Sequence, residues 1–159
     1  MIIDFLLNGK QVSLNIPPQK RLTEILREDC KLFKTRSCCN TGECGNCVVI
    51  FNGNLANSCL LPAFKIKDSQ IRTIEGFEKT KDYQDIIAGF KAVNYYPCDS
   101  CASSRILVTH TLLETNPRPT EQEIIDTLSF IHCSCSDYTG LRDGIFAAGK
   151  LREVRKRGR

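Results

Sequence analysis

No apolar run in the 159 residues is long enough to cross a bilayer. The opening MIIDFLLNGK also lacks the basic leader, apolar stretch and small-residue cleavage site of a secretory signal. Repeats and low-complexity segments are absent too. Together these absences point to a cytoplasmic, globular chain with no membrane insertion. No Ser/His/Asp arrangement, phosphate-binding glycine loop or carboxylate pair is present, so nothing marks this chain as catalytic on its own. Histidine is scarce, with only His110 and His132. At 42% hydrophobic and 25% charged, the composition is ordinary for one folded domain or two small ones.

Net charge is also nearly missing from most of the molecule. The formal net charge is +4, yet KLREVRKRGR (150 to 159) holds six basic residues and one acidic, +5, which leaves −1 for the remainder. A terminal basic run without interleaved aromatics reads as a solvated tail able to touch a partner, and nucleic-acid binding is not expected.

Cysteine, by contrast, is plentiful: there are ten, and most of them are clustered. In a reducing compartment such spacing points to metal or redox chemistry rather than disulfides. Cys39, Cys44 and Cys47, with Cys59 after eleven intervening residues, follow Cys-x4-Cys-x2-Cys and a distant fourth cysteine. That is the plant-type spacing for a [2Fe–2S] cluster, and counting from Cys38 breaks it. Ferric iron bridged by sulfide is held best by soft anionic thiolates, four for two tetrahedral irons. Gly42 and Gly45 would let the loop close around the cluster with backbone N–H groups free to face the sulfurs. Zinc competes for any four cysteines, but its structural sites usually present two knuckle-like pairs.

The second set is Cys98, Cys101, Cys133 and Cys135, a Cys-x2-Cys paired with a Cys-x-Cys. Taken alone, it would suit zinc at least as well as iron. A Rieske centre would need two histidines on one iron. His132 adjoins Cys133, but His110 falls in a predicted helix remote from it. His132 is therefore expected to lie beside the site as a hydrogen-bonding or surface residue. Cys30 and Cys38 fall outside both sets and read as free thiols.

The pattern along the chain suggests two halves. Residues 2 to 7 and 11 to 16 flank Asn8-Gly9, a strong hairpin signal. Leu22, Ile25 and Leu26 predict a short helix, CVVIF a buried strand, NGN a turn and IRTIEG a final strand. The polar GFEKTKD (76 to 82) reads as a linker. Helices are predicted over 83–96, 103–115, 120–130 and 141–154, with Thr120 and Glu123 forming a capping box. A small β-rich unit, 1–78, is thus followed by a helical one, 79–159, that ends in the basic tail.

The two cysteine sets in this order carry a resemblance that spans about residues 2 to 149. CNTGECGNCVVIFNGNLANSCLLPA, RTIEGF, the placing of Phe90 before Cys98, NPRPTEQEI, and Cys133-Ser134-Cys135 with Tyr138 resemble the iron–sulfur small subunit of the xanthine dehydrogenase family of molybdenum hydroxylases. The resemblance implies an α+β chain: a β-grasp ferredoxin-like domain followed by a four-helix domain, each with one [2Fe–2S] cluster. It places Cys98, Cys101, Cys133 and Cys135 on the molybdenum side and Cys39, Cys44, Cys47 and Cys59 on the flavin side. It also implies a large molybdopterin-binding subunit and an FAD-binding subunit as partners. The departures lie in the second motif, where PCDSCASS stands for the family's Gln-Cys-Gly-Phe-Cys-Thr-Pro-Gly and Phe130-Ile131-His132 for Gly-Asn-Leu. Pro97 has no side-chain donor to offer where the family's Gln lies near the pterin. Two other readings remain open: a free-standing ferredoxin-like carrier, and a zinc-bound interaction module.

Overall fold

The computed structural model describes residues 1–135 and 138–158. Strands β1 (Ile2–Leu7) and β2 (Lys10–Asn15) form the expected hairpin. Asn8 and Gly9 both have positive φ, 52° and 81°, which is the turn geometry whose twist suits antiparallel strands. Alternation sends Ile3, Phe5 and Leu7 inward. A second hairpin joins β3 (Val48–Phe51) to β4 (Asn54–Asn57). Strand β5 (Gln70–Arg72) lies between the hairpins, parallel to β1 and antiparallel to β3, giving the order β2-β1-β5-β3-β4.

Strand β5 ends sooner than IRTIEG suggests. The Asn8 side chain binds both the backbone N–H and the hydroxyl of Thr73, at 2.8 and 3.0 Å, and the chain then turns into the short helix α2, preceded in sequence by α1 (Leu22–Glu24). Helix α2 covers Ile74–Phe77. Nor is the stretch from 76 to 82 a loose linker, because Phe77 is fully buried and anchors it. Helix α1 continues into a wider turn, Ile25–Asp29, and Leu22, Ile25 and Leu26 face the core as their spacing predicts.

Among the described residues four longer helices follow: α3 (Lys81–Ala92), α4 (Ala102–Thr115), α5 (Glu121–Leu128) and α6 (Tyr138–Arg157). Thr80 caps α3, and Thr120 with Glu123 forms the capping box of α5. The α+β architecture is as expected. Its sheet is buried on both faces at β3. Val49 points into the core shared with α1 and Ile71, while Val48 and Ile50 point into the helical core with Ile74, Phe77, Leu107 and Ile145.

The basic C-terminal run is not a free tail, because residues 150 to 157 are the last turns of α6. Arg152 is buried, contacting Glu114 at 3.1 Å, the His110 ring at 3.2 Å and Asp82 at 3.7 Å. Arg155 pairs with Asp82 and Asp85. Asp82, His110 and Glu114 lie close enough to suggest a metal site, but the Arg152 guanidinium occupies the space among them.

Candidate metal centres

The first cysteine set is assembled by a loop and a hairpin. The eleven-residue gap between Cys47 and Cys59 is the β3–β4 hairpin, which pairs Val48 with Asn57 and so returns Cys59 to Cys47. Ser58 fixes the join, donating from both N–H (3.2 Å) and Oγ (2.7 Å) to the Cys47 carbonyl. The loop itself has little regular structure, and Asn57 Nδ2 and Arg21 hold it through the carbonyls of Gly42 and Asn40. Gly42 and Gly45 adopt φ of 84° and 70°, the left-handed region that glycine tolerates. With the chain so turned, the N–H groups of Thr41 and Cys44 point at Cys39 Sγ, each at 3.4 Å. Hydrogen bonding from the Thr41 side chain, then from the Cys44 and Thr41 backbone, lowers the Cys39 thiol to about 5. Burial, then Cys47 beside it, raises Cys59 to about 12. The N–H groups aimed at Cys39 Sγ fit a thiolate ligand of an anionic sulfur-rich cluster.

Cys38 is exposed and Cys30 packs against the first core.

The second set is tighter. Cys98 and Cys101 lie in the turn that opens α4, where the Cys101 and Ala102 N–H groups bond the Cys98 carbonyl. Cys133 and Cys135 come from the segment after α5. The Sγ separations are 3.7 Å for Cys98–Cys101, 3.7 Å for Cys98–Cys133 and 3.4 Å for Cys101–Cys135, and all four sulfurs lie within 4.8 Å of one another. Cys98 is held low, chiefly by the Cys101 N–H, whereas burial pushes Cys101 up. The start of a 14-residue helix at Cys101 adds a positive dipole end that favours negative charge there. These separations would also suit one tetrahedral zinc, whose sulfurs at Zn–S of about 2.3 Å stand about 3.8 Å apart. Geometry alone leaves both metals open at this set.

The two sets are joined directly. The His132 N–H donates to the Cys44 carbonyl at 3.0 Å, and His132 Nδ1 lies 2.8 Å from the Glu43 carbonyl oxygen. His132 is thus a bridge between the loops, a role that required the packing of distant segments and that its position beside Cys133 only hinted at. Gly45 permits the contact, since a Cβ there would lie 1.9 Å from the Phe130 carbonyl oxygen. Between the loops lies an open hollow of about 730 Å³, lined by Cys39, Gly42, Cys44, Asn57, Phe130 and His132 among others. Ile131, apolar and beside the second set, is buried, whereas Phe130 stays 45% exposed.

One residue that sequence reading passed over is Arg105, buried one helical turn after Cys101. Its signal was a lone cation in the apolar stretch Arg105 to Val108, on a helix with nine buried positions.

The family model for a [2Fe–2S] binding domain matches residues 73–146, which include all four cysteines of the second set. The chain is 36% identical over 136 residues to the nicotinate dehydrogenase small FeS subunit of Eubacterium barkeri, covering 86% of this chain and 87% of that subunit. It is 30% identical over 150 residues to the isoquinoline 1-oxidoreductase subunit alpha of Brevundimonas diminuta, covering 94% and 98%. Among solved structures, a chain of quinoline 2-oxidoreductase from Pseudomonas putida 86 matches with a TM-score of 0.85 at 28% identity, covering 96% of both chains. Cysteine donors, helix end and loop geometry agree with these likenesses, and the chain belongs to the [2Fe–2S] electron-transfer small subunits of the molybdenum hydroxylases.

Proposed function

We propose that the chain holds two [2Fe–2S] clusters, one on Cys39, Cys44, Cys47 and Cys59 and one on Cys98, Cys101, Cys133 and Cys135, and relays electrons between partner subunits. Each cluster supplies a one-electron centre when bound. The ferredoxin-like half, 1–78, would hold the first and the helical half, 79–159, the second. The observation that carries this reading is the 3.0 Å hydrogen bond from His132 N–H to the Cys44 carbonyl. It links a ligand of one set to the neighbour of a ligand of the other through backbone and a single hydrogen bond.

The electron source would be a molybdopterin-binding hydroxylase subunit of the xanthine dehydrogenase or aldehyde/CO dehydrogenase type, and the acceptor FAD on a further subunit or another acceptor. Relatives named for nicotinate and isoquinoline favour a nitrogen heteroaromatic as the partner's substrate. Tyr96 and Phe130, both exposed, flank the second set and would be covered by the molybdopterin subunit. Pro97 would meet the pterin without a side-chain hydrogen bond.

Purification of the native complex tests this. A large molybdenum-containing subunit should accompany the chain, with about four irons and four acid-labile sulfides per chain, and substrate should reduce both clusters. Cys39→Ser should lose or shift one EPR signal while Cys38→Ser leaves both intact, and the reverse pattern would overturn the ligand assignment. A chain that purifies alone and takes electrons only from a soluble reductase would be a free-standing carrier. Colourless protein with stoichiometric zinc, prepared without air, would be the interaction module.

A further inference from the structure

Arg105 is 5% exposed, yet among the described residues no carboxylate is paired with it. One guanidinium nitrogen donates to the Tyr95 hydroxyl at 2.8 Å and another to the Cys133 carbonyl at 3.1 Å, while Nε has no hydrogen-bond partner among the described residues. Its charge acts on Cys101 and Cys135. Burying an unpaired cation is costly, and an arginine stays protonated rather than shedding the charge. A stable fold therefore needs a negative group beside it. Neutral thiols do not supply one, but four thiolates on two ferric irons and two sulfides sum to a dianion, and one-electron reduction makes it a trianion.

Resting on the reading that the second set holds a [2Fe–2S] cluster, we infer that Arg105 is the buried counter-charge of that cluster and sets its potential relative to the first. The reduced cluster gains more from the fixed cation than the oxidised one does, so Arg105 raises the potential of the second cluster. Tyr95 and the Cys133 carbonyl hold the guanidinium in register, and its two-point grip would be only partly reproduced by lysine. Burial strengthens the effect, because the charge is little screened by water or salt. The first set lies on the other loop and should not feel it comparably.

EPR-monitored redox titration of the cluster-loaded complex tests the assignment, comparing the native chain with Arg105→Met and Arg105→Lys. In Arg105→Met the second cluster should become harder to reduce, with at least a tenfold fall in its reduced-to-oxidised ratio at fixed potential, which is 59 mV for a one-electron couple. The first cluster's midpoint should stay put, and Arg105→Lys should recover part of the shift. An unshifted second signal in Arg105→Met, or equal shifts at both clusters, would overturn the inference. Should Arg105→Met fail to assemble the cluster, Arg105→Lys decides: retention of the cluster supports the counter-charge, and loss shows a role in shape instead. A native chain with one [2Fe–2S] signal would instead refute the two-cluster reading itself.

Discussion

His110 shows what burial does to a single ionisable side chain. Its ring lies 4.4 Å from that of Phe77, and its Nδ1 faces the Arg152 guanidinium. Burial first, then the Arg152 charge, lower it from an ordinary value of 6.5 to about 4. Between those values the unfolded chain binds more protons than the folded one. The stability this histidine contributes is therefore complete above pH 6.5 and is lost as pH falls toward 4. A shift of this size corresponds to about 3 kcal/mol. The melting temperature of the native chain, followed by circular dichroism from about pH 7 down to about pH 5, should fall more steeply than that of His110→Gln. Parallel profiles would show that His110 is not the group responsible. Nothing in SSRILVTHTLLET announced this environment, since Arg152 lies 42 residues away and reaches the histidine only through helix packing.

The two loop glycines should respond differently to substitution. At Gly45 an added Cβ would meet the Phe130 carbonyl oxygen at 1.9 Å, a backbone atom with little room to retreat. At Gly42 it would meet Leu60 Cδ1 at 2.5 Å, the end of an exposed side chain that can rotate away. Both alanine variants carry the strain of positive φ, about 1–3 kcal/mol. Gly45→Ala should in addition part the two loops, lowering both the iron content and the melting temperature well below those of Gly42→Ala. Equal losses would show that the clash with Phe130 is relieved cheaply. Local chemistry made several elements readable in advance. Asn8-Gly9 sets its own turn, and Thr120 with Glu123 starts α5, because both depend on neighbours a few residues away. The early end of β5 did not show, because Asn8 captures Thr73 from 65 residues away.

Taken whole, the molecule is less divisible than its two cysteine sets suggest. Val48 and Ile50 of the sheet and Ile74 and Phe77 of α2 belong to the helical core. A fragment of residues 1–78 would expose these four side chains, each worth about 1.5–3 kcal/mol when buried. Roughly 6–12 kcal/mol rivals the entire stability of an ordinary domain. The fragment should bind a hydrophobic dye and melt well below the full chain, even where its four cysteines still assemble a cluster. A dye-silent fragment melting with the full chain would show that the shared core contributes little. The basic C-terminal run follows the same logic, since Arg152 and Arg155 are tied to acidic groups on α3 and α4 that no linear pattern connects to them.

The donor chemistry was written in the chain. Cysteine spacing groups thiols that can meet at one site, so the second set, whose four sulfurs the fold brings together, the α+β order and the family resemblance could all be read locally. The relations between distant segments were settled by packing. His132 meets Cys44, Arg105 lies buried beside the second set and Arg152 fills the space among Asp82, His110 and Glu114 because sheet and helices share one core. Periodicity records which face of a helix is apolar, but not what will lie against it. The contact between the loops and the buried charge beside the second set arise only once the halves are pressed together.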